Sequence, residues 1–141
     1  MDVRKLTEQL SVAAQISPAD VPALTTLGFR TLIGNRPDGE VAGQPPFAEI
    51  ERAAVEAGMN VRFLPVVAGR FTVAQVRGFA DMLREAPGPV LAYCRTGTRS
   101  TMLWALSQVG HLPASEILAR AHAAGYDLSK MAPALSGPPV A

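Results

Sequence analysis

The 141-residue sequence contains one cysteine, two histidines and 6% aromatic residues, and its net charge is +1. A single cysteine cannot form an intrachain disulfide, and with two histidines it offers too few ligands for a structural zinc site. The balanced charge provides no broad basic surface for nucleic acid or for an anionic membrane. We therefore expect no metal, no cofactor, no nucleic-acid partner and no membrane partner.

Long hydrophobic runs are also missing, since no segment has the roughly 18 to 20 apolar residues that a membrane span needs. The first eight residues carry charges where a signal peptide would be apolar. These features predict a cytoplasmic protein. With 48% hydrophobic and 18% charged residues, the composition is that of a folded globular chain. We expect a single domain over residues 1–135 and a flexible Gly- and Pro-containing tail over 136–141.

Strand and helix signals alternate along the chain. Apolar runs predict strands over 10–16, 29–33, 61–67 and 89–93. Capping signals and three- to four-residue apolar spacing predict helices over 17–28, 47–57, 72–84, 100–109 and 114–126. The alternation indicates an α/β fold with a mostly parallel sheet and helices on both faces. In such folds ligands bind beyond the carboxyl ends of the strands.

Reactive side chains are concentrated in the segment Cys94-Arg95-Thr96-Gly97-Thr98-Arg99-Ser100, between an apolar strand and a helix. Backbone N–H groups in such a turn surround an anion, and the helix N-terminus adds positive potential. The same field favours the thiolate, which is the nucleophilic form of cysteine. We predict catalytic roles for Cys94 as nucleophile, Arg99 as a bidentate donor to an oxyanion and Ser100 as a hydroxyl bonded to the sulfur. The anion-binding residues are predicted to be Arg95, Thr96, Gly97 and Thr98. The alternative is an inert, buried thiol.

Residues outside this segment are weaker candidates for the rim of the site. Asp38 lies in the turn-rich segment 34–40 and is the candidate general acid, although a Pro-Asp-Gly turn needs an Asp for its own shape. Arg36 is a second rim candidate, the alternative being that it pairs with Asp38 in a solvated turn. Arg70, in the loop 65–71, is a third candidate because it could attract an anion.

The pattern Cys-Arg-x-Gly-x-Arg resembles the active-site loop of rhodanese-like sulfurtransferases. The following Arg-Ser pair resembles the cysteine-dependent tyrosine and dual-specificity phosphatases. The phosphatase loop has five residues between its Cys and Arg, whereas four separate Cys94 from Arg99. The phosphatases also have a His before the Cys and an acidic residue in the preceding loop, and this chain has Tyr93 and no acid in 65–71. These differences favour sulfur over phosphate as the transferred group.

Over nearly its whole length the chain resembles the phosphatase-like domain of the bacterial beta-lactamase hydrolase-like proteins, a domain often labelled a sulfur transferase. The motifs that carry this resemblance lie at residues 15–17, 35–40, 64–66 and 91–100. The resemblance implies a three-layer fold of the dual-specificity and tyrosine phosphatase type, with a loop of rhodanese size. In some relatives the domain is joined to a persulfide dioxygenase or a sulfide:quinone oxidoreductase. We expect such a partner to be a separate protein here.

The expected function is sulfur transfer through a persulfide on Cys94. The donor would be thiosulfate, a polysulfide or glutathione persulfide, and a thiol would accept the sulfur. Two alternatives stay open at this point. One is a cysteine-dependent phosphatase with a phosphocysteine intermediate, and the other is a sulfur carrier or anion-binding module without turnover.

Overall fold

A computed structural model describes residues 1–140 of the chain. The described strands are β1 (Val3–Lys5), β2 (Leu10–Ala13), β3 (Thr31–Gly34), β4 (Asn60–Phe63) and β5 (Val90–Tyr93). The described α-helices are α1 (Val21–Thr26), α2 (Phe47–Glu56), α3 (Val73–Glu85), α4 (Thr98–Ser107), α5 (Ala114–Ala123) and α6 (Ala132–Leu135). Short 3-10 helices precede α1 and α6, at Pro18–Asp20 and Ser129–Met131.

The five strands form one sheet in the order β1-β2-β5-β3-β4. Only β1 is antiparallel to its neighbour, and the other pairings are parallel. Strand β5 lies in the middle and is buried along its length, as its uninterrupted apolar sequence predicts. Its last residue, Tyr93, is in register with Ala13 of β2 and Gly34 of β3. The segments after these three strands therefore leave the sheet side by side at one edge.

Helices cover both faces of the sheet, which confirms the predicted three-layer α/β fold. Successive residues of β5 point to opposite faces, so that Ala92 packs in one apolar cluster and Leu91 in the other. The first cluster includes Phe79 of α3, Leu103 of α4 and Ile117 of α5. The second cluster is built mainly from α1, α2 and the sheet. The central sheet is thus fixed from both sides, and its carboxyl edge is the rigid base for the loops described below.

Several predicted boundaries differ from the structure. Strand β1 was not expected, and the helix predicted from residue 17 is a 3-10 turn followed by the short helix α1. The predicted strand over 61–67 ends at Phe63, because the N–H groups of Leu64 and Val66 donate to the consecutive carbonyls of Gly34 and Asn35, which breaks the alternating pattern of a regular parallel ladder. Helix α4 begins at Thr98 instead of Ser100. The last difference matters most, since it places the N-terminus of α4 inside the reactive segment.

The chain beyond α6 lies against the rest of the protein. Val140 packs on the apolar cluster of α3 and α4, and the ring of Pro139 lies beside Gly110. The flexibility of residues 136–141 stays a prediction. None of the helices in residues 1–140 is long and apolar enough to cross a membrane.

Candidate active site

Cys94 follows the central strand directly and lies beneath the loop that leads to α4. Its backbone N–H donates to the carbonyl of Ala13 at 3.3 Å, which continues the pairing of β5 with β2. The side chain is fully buried. The N–H of Gly97 donates to Sγ of Cys94 at 3.1 Å. The loop therefore directs a backbone dipole at the sulfur, as expected for a segment that stabilises negative charge.

The loop between Cys94 and α4 is shaped by Gly97, whose φ of +91° lies in the left-handed region. A Cβ at this position would clash with the hydroxyl of Tyr126. That hydroxyl donates to the carbonyl of Thr96 at 3.1 Å, and the hydroxyl of Thr101 donates to the carbonyl of Gly97 at 2.8 Å. These contacts hold the loop in place. Because α4 begins at Thr98, its first N–H groups have no helical partners, and that of Thr98 points at Oγ1 of Thr96 at 3.4 Å. Such an N-terminus favours a bound anion.

Arg99 extends from the first turn of α4 and is almost completely buried. Its Nη1 donates to the carbonyl of Val66 at 2.7 Å and to Oε2 of Glu40 at 2.8 Å, and its Nη2 donates to Oε1 of Glu40 at 2.8 Å. An arginine has five N–H donors. The two that remain, on Nε and Nη2, lie on the same edge of the planar group. Arg99 can therefore hold a further oxyanion bidentately while Glu40 occupies its other edge.

Glu40 is the main site residue that the sequence did not reveal. Hydrogen bonding from Arg99, supported by Arg36, lowers the pKa of Glu40 to about 2 against the opposing effect of burial. Glu40, and after it Cys94, raise the pKa of Arg99. The carboxylate is thus ionised at neutral pH and cannot serve as a proton donor. The sequence placed Glu40 in the motif 35–40, four residues after Arg36, but gave it no role in the site.

Arg36 is buried, with 5% of its surface exposed, and the solvated turn considered for it is wrong. Its Nε donates to Oε1 of Glu40 at 2.9 Å, and its Nη1 donates to Oε1 of Gln15 at 3.1 Å. Arg36 therefore braces the loop that carries Glu40 and is not an open rim residue. The partner is Glu40 and not Asp38, because the loop turns at Gly39 and brings residues 36 and 40 together.

Ser100 is placed differently from the prediction. We predicted that its hydroxyl is bonded to the sulfur of Cys94. Instead, the hydroxyl donates to Oδ1 of Asn35 at 2.8 Å. Asn35 in turn donates through Nδ2 to the carbonyl of Leu64 and through its backbone N–H to that of Tyr93. Ser100 thus ties the start of α4 to the loops after β3 and β4. Asn35, which the sequence analysis placed in a motif without assigning it a role, is fully buried.

Asp38 does not reach the site in this structure. Its Oδ1 accepts the backbone N–H of Phe47 at 2.8 Å, which satisfies an open donor at the start of α2. The candidate general acid is therefore occupied in capping a helix. Arg70 is exposed and does not line the cavity beside the loop, whereas its neighbours Ala68 and Gly69 do.

A cavity of about 510 Å³ lies over the reactive segment. It is lined by Glu40, Ala68, Gly69, Arg95, Thr96, Thr98, Arg99 and Met102. The structure thus brings most of the predicted anion-binding residues to one opening. Within residues 1–140, no group of three or more His, Cys, Asp or Glu side chains is placed to hold a metal ion. The arrangement combines a buried sulfur, a loop amide and a fixed guanidinium, and the carboxyl group of Glu40 in the lining is ionised and cannot donate a proton.

Comparison with solved structures identifies the fold type. A candidate phosphatase from Neisseria meningitidis is 39% identical, with a TM-score of 0.87 and coverage of 96% of both chains. TpbA from P. aeruginosa, solved in complex with pTyr, has a TM-score of 0.68 at 21% identity and matches 98% of this chain and 85% of its own. PTPMT1 has a TM-score of 0.69 at 17% identity and coverages of 96% and 92%. The chain therefore has the fold of the dual-specificity and tyrosine phosphatases.

Sequence comparisons identify the family. The chain is 38% identical over 130 residues to the beta-lactamase hydrolase-like protein of Agrobacterium fabrum. The aligned region covers 91% of this chain and 30% of that protein. The corresponding protein of Xylella fastidiosa is 34% identical over 132 residues, with coverages of 92% and 31%. The chain thus spans less than a third of the length of these relatives. The family model "Beta-lactamase hydrolase-like protein, phosphatase-like domain" matches residues 2–111. The chain belongs to this family of phosphatase-like domains.

Proposed function

We propose that the chain is a cysteine-dependent phosphatase for phosphate monoesters with good leaving groups. The observation that carries the proposal is the convergence of Cys94, the Gly97 amide and the open edge of Arg99 at one end of a phosphatase-type fold. This differs from the expectation of sulfur transfer, which was drawn from the loop length and from the missing acid in 65–71. The phosphatase-like family and the structural neighbours favour phosphate chemistry.

The proposed reaction has two steps. The Cys94 thiolate attacks phosphorus, the bond from phosphorus to the ester oxygen breaks, and that oxygen leaves with the electron pair. Water then attacks the phosphocysteine, the S–P bond breaks, and phosphate and the thiolate are released with a proton passing to solvent. Arg99 and the amides at the start of α4 stabilise charge on the non-bridging oxygens in both steps.

The missing acid restricts the substrates. Glu40 is held ionised, with a pKa of about 2, and Asp38 is bonded to the backbone of Phe47. Without a proton donor, the leaving oxygen must be stable as an anion. Since general acid catalysis contributes about 10² to 10⁴-fold, alkyl phosphates are expected to react that much more slowly than in an enzyme with such an acid. Aryl phosphates meet the requirement.

Sulfur transfer remains a second candidate because only four residues separate Cys94 from Arg99. In that reaction the thiolate attacks the outer sulfur of thiosulfate or a persulfide. The sulfur–sulfur bond of the donor breaks, and sulfite or a thiolate leaves as a stable anion. A thiol acceptor then removes the sulfur from Cys94. A separate persulfide dioxygenase or sulfide:quinone oxidoreductase would be the matching partner.

Parallel assays on the purified protein separate the two candidates. We expect release of phosphate from 4-nitrophenyl phosphate, abolished by Cys94→Ser. Arg99→Lys keeps the positive charge but loses the paired donors of the planar guanidinium group. We expect it to lower kcat/KM by about 10² to 10³-fold. Arg120→Lys is the matched control, because Arg120 forms an exposed ion pair with Glu116.

Mass spectrometry after incubation with each substrate gives the opposing outcomes. A phosphoryl group on Cys94 supports the phosphatase. Addition of one sulfur atom to Cys94 from thiosulfate, with transfer of that sulfur to cyanide and no release of phosphate, would contradict the phosphatase and support the sulfurtransferase. Stoichiometric labelling by sulfur without turnover would indicate a carrier.

A further inference from the structure

The cavity over the loop that follows Cys94 has a lining of two chemically different kinds. The loop and α4 provide polar groups from Arg95, Thr96, Thr98 and Arg99, and Glu40 lies next to them. The apolar side of the lining consists of Ala68 and Gly69, after β4, and of Met102 on α4. Phosphate binding accounts for the polar side only. The apolar side is not used by the reaction described above.

The volume of the cavity exceeds what an anion needs. A dry cavity of about 150 Å³ is sufficient to hold benzene. The cavity here measures about 510 Å³, which is within the range of small-molecule sites. There is room for the transferred group at Arg99 and for a ring beside it.

Met102 is positioned to contact the group attached to the phosphate. It lies three residues after Arg99 on α4, so both side chains project from the same face of the helix. With the anionic end of a ligand at Arg99, a group attached to it lies in the same cavity as Met102. Met102 is half-buried, and it packs against the first apolar cluster while also lining the cavity. A thioether packs favourably against an aromatic ring.

Gly69 keeps this side of the mouth open. Its φ of +76° disfavours residues with a side chain, and the space where a Cβ would lie has no atom within 4 Å. Val67, two residues earlier, is 51% exposed. The segment therefore presents small and apolar surface, and residues 65–71 contain no acid.

We propose that Met102, with Ala68 and Gly69, forms a subsite for the aromatic leaving group of the substrate, and that Met102 determines the preference for aryl over non-aromatic phosphates. This rests on the proposed phosphatase function. The apolar side cannot protonate a leaving group, and it accommodates the class of group that leaves without protonation. Two independent features of the site, its missing acid and its apolar side, thus select the same substrates.

Kinetics with two substrates test the role of Met102. The pair is 4-nitrophenyl phosphate, which has a ring, and acetyl phosphate, which has a good leaving group and no ring. We expect Met102→Ala to raise KM for the aryl substrate about three- to tenfold and to leave KM for acetyl phosphate within about twofold. Met102→Leu should keep the KM for the aryl substrate close to that of the wild-type protein, because its side chain is also large and apolar. Met82→Ala is the matched control, since Met82 is a half-buried methionine of α3 that does not line this cavity. Equal changes for both substrates, or none, would overturn the subsite.

A binding measurement keeps the subsite distinct from the reaction. Calorimetry on Cys94→Ser should show tighter binding of phenyl phosphate than of inorganic phosphate, and Met102→Ala in the same background should remove most of that difference. Equal binding of the two ligands overturns the subsite and leaves the phosphatase intact. Preserved binding with no turnover by the wild-type protein overturns the phosphatase alone. Failure to bind either ligand overturns both.

Discussion

Glu40 determines how Arg99 can act at the site. It occupies the edge of the guanidinium that faces away from the free donors, at 2.8 Å on each oxygen. Without Glu40, the carbonyl of Val66 would be the one remaining hydrogen-bond acceptor that the structure gives this nearly buried cation. Holding one edge leaves the Nε–H and one Nη2–H together for a bound oxyanion. Glu40 thus acts through Arg99 as a positioning residue, although its charge has the same sign as the substrate.

The ionised form of Glu40 should stabilise the folded protein. Its pKa falls from 4.5 to about 2 on folding, so its contribution is complete above about pH 4.5 and is lost as pH falls through 2. We expect Glu40→Gln to reduce the free energy of unfolding at pH 7 by about 1 to 3 kcal/mol, because hydrogen bonds to charged groups are lost. Urea unfolding at pH 7, 4 and 2.5 should show the difference from wild type narrowing with acidity.

Glu116→Gln is the matched control for this measurement. Glu116 pairs with Arg120 on an exposed helix, and its removal should change stability by less than about 0.5 kcal/mol. A difference between wild type and Glu40→Gln that stays constant from pH 7 to 2.5 would contradict the assigned role of the Glu40 carboxylate.

The sequence revealed the residues of the loop but not their supports. Cys94, Gly97 and Arg99 are adjacent in the chain, and a buried strand followed by a helix determines where they lie. Glu40 and Asn35 reach the same place from 54 and 59 residues earlier, respectively, counted from Cys94. Their positions depend on the pairing of β3 with β5 and on an irregular loop, which local periodicity does not encode.

At the scale of elements, hydrogen bonds connect the loop after β3 to two helices. The loop after β3 is joined to α2 through Asp38 and to α4 through Glu40. Capping signals and apolar spacing were sufficient to predict α2 and α3. Strand β1 escaped detection because three mostly exposed residues show no pattern until they pair with β2. Helix α4 was predicted two residues late because its first turn is formed by the polar loop itself.

Two variants of Asp38 separate its helix-capping role from a role in acid catalysis. Asp38→Asn keeps an oxygen that can accept from Phe47 but cannot donate an acidic proton. We expect it to retain kcat on 4-nitrophenyl phosphate within about twofold, whereas loss of a general acid costs about 10² to 10⁴-fold. Asp38→Ala should lose about 0.5 to 2 kcal/mol of stability through the open N-terminus of α2.

Asp20→Asn and Asp20→Ala provide the control for the Asp38 variants. Asp20 accepts the backbone N–H of Ser17 at 2.9 Å, which is the same type of bond at a position that does not line the cavity. A large loss of kcat in Asp38→Asn, with stability unchanged, would restore Asp38 as the acid.

For the whole molecule, two apolar clusters share one five-stranded sheet. Because each strand of the central group contributes residues to both faces, neither cluster can be lost without exposing the other side of the same strands. The chain should therefore unfold in one transition, as small single domains usually do. The loop after Cys94 lies at the carboxyl end of the central strand, between the two apolar clusters.

Ile50 and Ile117 test this coupling because both are fully buried, one in each cluster. We expect Ile50→Val and Ile117→Val each to reduce the free energy of unfolding by about 0.5 to 1.5 kcal/mol, and the double variant to show the sum. Val55→Ala, at a position 60% exposed, should change the free energy of unfolding by less than about 0.5 kcal/mol.

Two spectroscopic signals distinguish the faces of the sheet. Trp104 is buried in the cluster that contains Ile117, so its fluorescence reports that face, while far-ultraviolet circular dichroism reports both. Ile50→Val should shift both signals to the same lower urea concentration. If it shifts only the dichroism and leaves the Trp104 signal in place, the two faces unfold separately.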